Sequence, residues 1–293
     1  MLSRLHDAAD KAKKVLFGGR SSSLDTTNSV VSVLVRSFST MVEQNKAPSS
    51  KVQALYDLCK KSFTPSQPST PSSIAVQSVC SLLDSISPAD VGLQEDGQDD
   101  DSGLGFFGFQ NFRTAGWPKP ITYIDVYEGD NFTICIFCFP SSSVIPLHDH
   151  PGMTVFSKVL YGSLHLKAYD WIDPPNIQES AGPDYPPVRL AKLAVDKLLT
   201  VSCGTSVLYP KSGGNLHCFT AVTPCAVIDV LAPPYREDMG RRCTYYNDYP
   251  YTPTLDDPEV SNEKENYAWL GHIDVPDDFY MRTGVYRGPS IHL

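Results

Sequence analysis

Beyond Pro120 the chain is a succession of short apolar segments separated by Gly, Pro, Asn and Asp. Many short segments punctuated by turn residues are typical of strands in an all-β sandwich or barrel. The pattern predicts strands over 121–127, 132–139, 154–161, 163–169, 190–199, 206–209, 216–221 and 225–231. The Tyr- and Pro-rich remainder, 235–293, is expected to wrap the outside, with a late strand over 267–273. The fold class is therefore mainly β.

Two segments in front of these strands have helical periodicity. The first begins at Lys51 and must end before Pro65; its apolar stripe consists of Val52, Leu55, Tyr56, Cys59 and Phe63. The second, over 74–86, offers a face made of Ile74, Val79, Leu82, Leu83 and Ile86. We expect an arm at 1–49 that is disordered or serves targeting, a helical segment at 50–93, an acidic solvated loop at 94–103 and the β domain at 104–293.

Composition excludes some classes of partner and suggests a compartment. The formal net charge of −9 argues against nucleic acid, which needs a basic surface. No stretch approaches the roughly 18 apolar residues of a membrane span. The eight cysteines lie mostly in apolar runs and are expected to be reduced thiols of a cytosolic-type protein. The Ser-rich, basic segment 1–48 resembles an organelle transit peptide, but Asp7, Asp10 and Asp25 oppose that minor alternative.

The run 146–153, Pro-Leu-His-Asp-His-Pro-Gly-Met, is the most informative stretch of the chain. Side chains alternate along an extended segment, so His148 and His150 project to one face and Asp149 to the other. A third candidate, His217, follows the turn at 210–214, and the interior of a barrel is where distant strands meet. The three imidazoles are predicted metal ligands; the alternative is a pair of satisfied polar residues at a strand end. His165 is expected to face solvent.

The H-x-H motif, Gly162, and the later Gly204, Pro210 and His217 resemble the two-part pattern of cupins, the double-stranded β-helix (jelly-roll) barrels. In the common cupin pattern a Glu ligand follows the H-x-H motif, but the corresponding positions here hold Thr154 and Val155. A neutral three-histidine site leaves the charge of a divalent metal uncompensated. It therefore favours an anionic ligand from the substrate, and a thiolate is the softest available.

A closer resemblance is carried by six longer motifs, at 121–123, 145–153, 160–162, 214–217, 229–235 and 240–246. They are similar to the cysteamine dioxygenase family of thiol dioxygenases, and the Tyr169-Asp-Trp171 run and the helix around Leu55-Tyr56 are similar to its plant branch, the plant cysteine oxidases. The resemblance covers most of residues 50–293.

The resemblance implies that Fe(2+) and O2 oxidise the N-terminal Cys of protein substrates, transcription factors among them, to cysteine sulfinic acid. It also implies an oxygen sensor of the N-degron pathway and hypoxia response, active in the cytoplasm and nucleus; a monomer is expected. Asp229 would contact a ligand imidazole or the substrate amine, since an unpartnered carboxylate in an apolar strand is costly; the alternative is an outward-facing Asp. Tyr235 resembles the tyrosine that lines the family's pocket.

Several alternatives remain open. Cys243 and Tyr245 match positions at which an animal relative forms a thioether crosslink, and an ordinary buried thiol is the default expectation for Cys243. A dioxygenase of small thiols, cysteamine or free cysteine, would share every ligand. A three-histidine zinc hydrolase or hydratase would use the same residues with water.

Overall fold

The computed structural model describes residues 49–64, 70–93, 120–179, 186–251 and 266–293. The predicted arm at 1–49, apart from its last residue, and the acidic loop at 94–103 lie outside the described residues, as does the segment proposed for organellar import.

Two α-helices precede the sheets: α1 at Lys51–Ser62 and α2 at Ser73–Ser85. Each begins at a serine whose side-chain oxygen accepts a hydrogen bond from a backbone N–H of the first turn, Gln53 N for Ser50 and Ala75 N for Ser72. Such caps satisfy N–H groups that have no partner inside the helix. The predicted stripe of α1 is confirmed, because all five of its apolar residues are buried.

The face predicted for α2 is correct except at Ile74, which is 77% exposed. Val79 and Leu83 are fully buried and define the packed face. At 3.6 residues per turn, Ile74 lies roughly 140° and 180° around the axis from these two residues. It therefore points to solvent from the first turn of the helix.

Thirteen strands follow, β1 to β13 in chain order. Their bounds are Ile121–Glu128, Thr133–Phe139, Val144–Asp149, Thr154–Tyr161, Ser163–Trp171, Ile177–Gln178, Val188–Thr200, Ser206–Leu208, Leu216–Ala221, Cys225–Ala232, Tyr245–Pro250, Tyr267–Ile273 and Met281–Thr283. Short 3-10 helices lie at Pro88–Val91 and Glu237–Met239.

The strands form two sheets, ordered β13-β1-β2-β10-β4-β8 and β12-β11-β3-β9-β5-β7-β6. Their central parts, β2-β10-β4-β8 and β3-β9-β5-β7, pair antiparallel throughout. This is the strand order of an eight-stranded jelly roll, in which two Greek keys fold into facing sheets. The predicted cupin barrel with a short N-terminal helical segment is therefore confirmed.

Both faces of the first sheet are buried. Leu55 of α1 and Leu83 of α2 share one apolar cluster with Ile134, Ile136 and Ile228 on the outer face of that sheet. The residues between them in β2 and β10 point into the barrel. A strand that is covered on both sides is expected to be apolar along most of its length. Strand β10, Cys225–Ala232, fits this expectation, because every one of its residues is buried.

Cys135 and Cys138 lie on opposite sides of β2: Cys135 faces the barrel interior, and Cys138 packs with the outer cluster. All eight cysteines are free thiols.

Four strands were not predicted: β3, β6, β11 and β13. Pro146 interrupts β3, and Pro normally argues against a strand interior because it cannot donate to the ladder. Tyr, Asn, Asp and Pro crowd β11, while β6 and β13 are too short to carry a periodicity. These elements form through pairing with distant strands rather than through local pattern.

Candidate metal centre

A bulge in β3 turns the first histidine into the barrel. Ile145 pairs with Phe219 and His148 pairs with His217, so β3 has one residue more than β9 between the two pairs. Ile145 and His148 both line the cavity although they are three residues apart. Strict alternation would have pointed His148 outward; the extra residue at the bulge reverses the parity.

The structure brings His148, His150 and His217 together at the inner face of the second sheet. Their ring centroids are 4.7 to 4.9 Å apart. One nitrogen of each ring lies within 4.8 Å of the others. All three residues are buried. Within the described ranges, no carboxylate joins the group.

Burial keeps these imidazoles neutral. Desolvation lowers the pKa of His148 to about 4, against weak opposition from the Pro146 carbonyl. Desolvation first, and neighbouring histidines second, hold the pKa values of His150 and His217 well below the ordinary range. At neutral pH the three rings therefore present lone pairs rather than N–H⁺ groups.

Hydrogen bonds orient two of the rings. His148 Nδ1 lies 2.8 Å from the Pro146 carbonyl and must donate to it, which leaves Nε2 unprotonated. Tyr235 donates its hydroxyl proton to the Asp149 carbonyl at 2.7 Å, so its oxygen accepts from His150 Nδ1 at 2.9 Å. Nε2 of His150 is then also left with a free lone pair.

The third ring differs, because the buried Nδ1 of His217 has no hydrogen-bond partner among the described residues. Three neutral, buried imidazoles with converging lone pairs would be an unfavourable arrangement without a shared electrophile. A divalent transition metal satisfies them, because imidazole suits Fe, Zn, Cu and Ni. The residues present therefore fit a metal ion.

Asn215 holds the backbone beside His150. Its Oδ1 accepts from the backbone N–H of His150 at 3.1 Å, and its Nδ2 donates to the carbonyls of His150 at 2.9 Å and Tyr209 at 2.8 Å. Asn215 is itself buried, and its own N–H donates to the Asp170 carboxylate at 2.9 Å. This amide joins the strand that carries His217 to the segment that carries His150.

Asp149 faces away from the two neighbouring histidines, as alternation predicts. Its carboxylate accepts from the Thr244 N–H at 2.9 Å and from the Tyr246 hydroxyl at 3.1 Å. Its backbone N–H donates to the Thr244 carbonyl at 3.1 Å. Asp149 therefore attaches the 243–246 segment to the histidine strand, and that segment supplies Cys243 and Tyr245 to the cavity.

The histidines lie in a cavity of about 420 Å³ whose walls come from both sheets. The apolar part of the wall includes Phe137, Ile145, Phe219 and Leu231. The polar groups of the lining include the three histidines on one sheet and Asp229 on the other, and a mostly apolar cavity with a few such groups is typical of a binding site.

Asp229 lies in the same cavity on the first sheet, and not outward as its alternative reading required. The residue is 6% exposed, and its Oδ1 has no hydrogen-bond partner among the described residues. Burial raises the pKa of this carboxyl to about 7, opposed by a hydrogen bond from Ser157. A cation placed beside it would favour the charged form.

Tyr235 and Cys243 share the remaining wall. Burial raises the pKa of Tyr235 well above its usual range, and burial also raises the pKa of the Cys243 thiol. Cys243 lies within hydrogen-bonding reach of the hydroxyls of Tyr235 and Tyr245 and forms no disulfide.

The remaining histidines do not join the three candidate ligands. His165 is half-exposed on the outer face of β5 and pairs with Asp196 at 2.7 Å. His272 lies against Tyr246, and His6 falls outside the described residues. Sequence reasoning missed the positioning roles of Asn215 and Asp149. The position of Asn215, directly before the apolar strand β9 and two residues before His217, was the available signal.

In the described part of the chain, no helix has the length and apolar character needed to cross a membrane.

Residues 82–291 match the PCO_ADO family. The chain is 44% identical over 244 residues to plant cysteine oxidase 2 of Arabidopsis thaliana, covering 82% of this chain and 83% of that protein. It is 34% identical over 184 residues to 2-aminoethanethiol dioxygenase of Mus musculus, covering 59% and 72%. A solved Klebsiella pneumoniae protein with a double-stranded β-helix domain is 15% identical with a TM-score of 0.28, covering 45% and 86%. The chain therefore belongs to the PCO_ADO family.

Proposed function

We propose that this chain is an iron(II)-dependent dioxygenase that oxidises the N-terminal cysteine of target proteins to cysteine sulfinic acid, using both atoms of O2. Family membership makes it a thiol dioxygenase, an oxidoreductase. The observation that carries the finer proposal is that three neutral histidines share one cavity with the buried carboxylate of Asp229, whose Oδ1 has no hydrogen-bond partner among the described residues.

His148, His150 and His217 would hold the metal. Iron(II) held there would supply O2 activation and open coordination positions. Because the three ligands are neutral and lack a carboxylate, an anionic substrate ligand is favoured, and a thiolate matches a soft divalent ion. Coordination of sulfur also lowers the pKa of a thiol, so no side chain has to act as a strong base.

The remaining residues orient the substrate. Asp229 lies on the wall opposite the histidines, where its charged form would pair with the free ammonium of an N-terminal cysteine. The apolar walls, Phe137 and Phe219 among them, exclude water and strengthen that pairing. Holding thiol and amine at two fixed points gives the proximity that a bound reaction needs.

In its biological setting we propose that the enzyme senses oxygen. Oxidation of an N-terminal cysteine would mark transcription factors for the N-degron pathway, and hypoxia would spare them. Such a role requires the protein, expected to act as a monomer, to be present in the cytoplasm and nucleus. The eight free thiols suit a reducing compartment.

The first test compares substrates. The iron-loaded protein is incubated with a Cys-initiated peptide, the same peptide acetylated at its N-terminus, cysteamine and free cysteine, and sulfinic acid is measured by mass spectrometry. Oxidation of the free-amine peptide well above the others supports the proposal. The small-thiol alternative, suggested by the 2-aminoethanethiol dioxygenase relatives, predicts that cysteamine or cysteine is oxidised faster than the peptide.

A second test separates iron from zinc chemistry. The purified protein is stripped of metal and reloaded with iron(II) or zinc(II), and thiol-dependent O2 consumption is recorded. The proposal predicts consumption with iron alone. A protein isolated with zinc that hydrolyses or hydrates a substrate without consuming O2 would support the zinc alternative.

A further inference from the structure

The wall of the cavity that faces the histidines is acidic beyond Asp229. Three charged side chains belong to the described residues that line the cavity: Glu128, Asp229 and Arg282. Arg282 pairs with Thr122 across β13 and β1, and its Nε donates to the Thr122 hydroxyl at 2.7 Å. Thr122 lies opposite Cys138, on the outer side of the sheet. Arg282 is thus engaged with Thr122, and the other two charged residues of the lining, Glu128 and Asp229, are acidic.

Glu128 reaches the cavity through a bulge. The pairing of β1 with β2 shifts between Asp125 and Tyr127, which places Glu128 opposite Thr133, another cavity residue. Glu128 is exposed at the end of β1, and it forms no ion pair with the residues that the structure describes. The nearest acid on the same strand, Asp125, lies beside the Tyr123 hydroxyl instead. Glu128 is therefore an exposed carboxylate in the lining of the cavity, with no ion pair to the described residues.

The register gives the separation of the two acids. Thr133 pairs with Glu128 on one side and with Leu231 on the other, and Asp229 is two residues from Leu231. Two strand spacings of about 4.8 Å and two residue rises of about 3.3 Å put the Cα atoms of Glu128 and Asp229 roughly 12 Å apart. An extended peptide with its ammonium at Asp229 advances about 3.3 Å per residue toward Glu128. A long cationic side chain on the second residue spans the remaining distance to Glu128.

We infer that Glu128 makes the enzyme prefer substrates with Lys or Arg directly after the N-terminal cysteine. This inference rests on the proposed function and names the substrate class within it. The buried Oδ1 of Asp229, which has no partner among the described residues, is where the ammonium would bind. Glu128 would then pair with the cationic side chain of the second residue. Since Glu128 is exposed, the pairing is worth what surface ion pairs are worth, about a two- to fivefold effect.

The test uses three peptides that differ only in the second residue, Cys-Lys, Cys-Gln and Cys-Glu. We expect kcat/KM to fall in that order, by about two- to fivefold at each step, at roughly 0.05 M salt and to converge at roughly 0.5 M salt. Glu128→Gln should equalise the Lys and Gln peptides, and Glu128→Lys should reverse the order. Dissociation constants of the matching Ser-initiated peptides, which keep the ammonium but cannot be oxidised, should rise in the order Lys, Gln, Glu.

Asp196→Lys is the matched control, because Asp196 lies on the outer face of β7 and its replacement changes the net charge equally. It should leave the wild-type order intact. Equal kcat/KM for all three peptides in the wild-type enzyme, or a Lys preference that survives Glu128→Lys, overturns the inference and leaves the proposed function standing. Failure to oxidise any Cys-initiated peptide overturns the proposed function and the inference together.

Discussion

Replacing Asp229 by Asn removes one charge and preserves the shape of the side chain, so its effect on stability follows from burial alone. The carboxyl has its pKa raised from 3.8 to about 7 by desolvation. Between these pH values the folded protein holds a proton that the unfolded chain releases. The free energy of unfolding therefore falls as pH rises through this window.

The magnitude follows from the two pKa values. At 1.36 kcal/mol per pH unit, a rise from 3.8 to about 7 corresponds to about 4 kcal/mol lost above pH 7. The Asn variant has no proton to lose and escapes this penalty. Its free energy of unfolding relative to the wild type should increase by up to about 4 kcal/mol between about pH 4 and pH 8.

The assay is urea unfolding of the metal-free protein at several pH values, with the free energy taken from linear extrapolation. Other titrating groups cancel in the difference between variant and wild type. Asp277→Asn, which removes an exposed carboxylate, is the control, and its difference from the wild type should stay small. A difference between Asp229→Asn and wild type that stays flat with pH would refute the claim that burial raises the pKa of this carboxyl.

Three further predictions concern the histidines and their supports. His217→Ala should abolish both iron retention and sulfinic acid formation, whereas His165→Ala should leave both largely intact; metal analysis and mass spectrometry on the same samples check this, and equal damage from both would contradict the ligand assignment. Asn215→Ala should weaken iron binding by about 10- to 100-fold through the unsupported His150 backbone, measured by competition with a chelator, and unchanged affinity would contradict the role. Tyr235→Phe removes the hydroxyl bonded to His150 Nδ1 and should also weaken iron binding; peptide oxidation that is unchanged at limiting iron would oppose that reasoning.

Local sequence patterns predicted most of the fold and identified the three histidines as candidate ligands. Turn residues between apolar runs predicted the approximate positions of seven of the eight jelly-roll strands, all except β3, and period-two spacing placed His148 and His150 on one face. The prediction that His148 and His150 share one face is unaffected by the bulge at Pro146. The extra residue changes which face the side chains before the motif point to, and it leaves the alternation within the motif intact.

Features that depend on distant partners could not be predicted in the same way. Pairing of Tyr245 with His148 and of β13 with β1 creates strands in segments with no strand-like pattern. The amide of Asn215 acts on a backbone 65 positions away. Ile74 was misplaced because five apolar residues in a window do not all share one helical face.

The most direct test of the central claim uses O2 labelled with a heavy isotope. Protein loaded with iron(II) is incubated with a Cys-initiated peptide under labelled O2, and the product is analysed by mass spectrometry. If the three histidines hold one iron beside the thiolate and the amine, the cysteine sulfur should carry two labelled oxygens. The His217→Ala protein should form no labelled product. A single labelled oxygen, label from water, or equal product from both proteins would contradict the account.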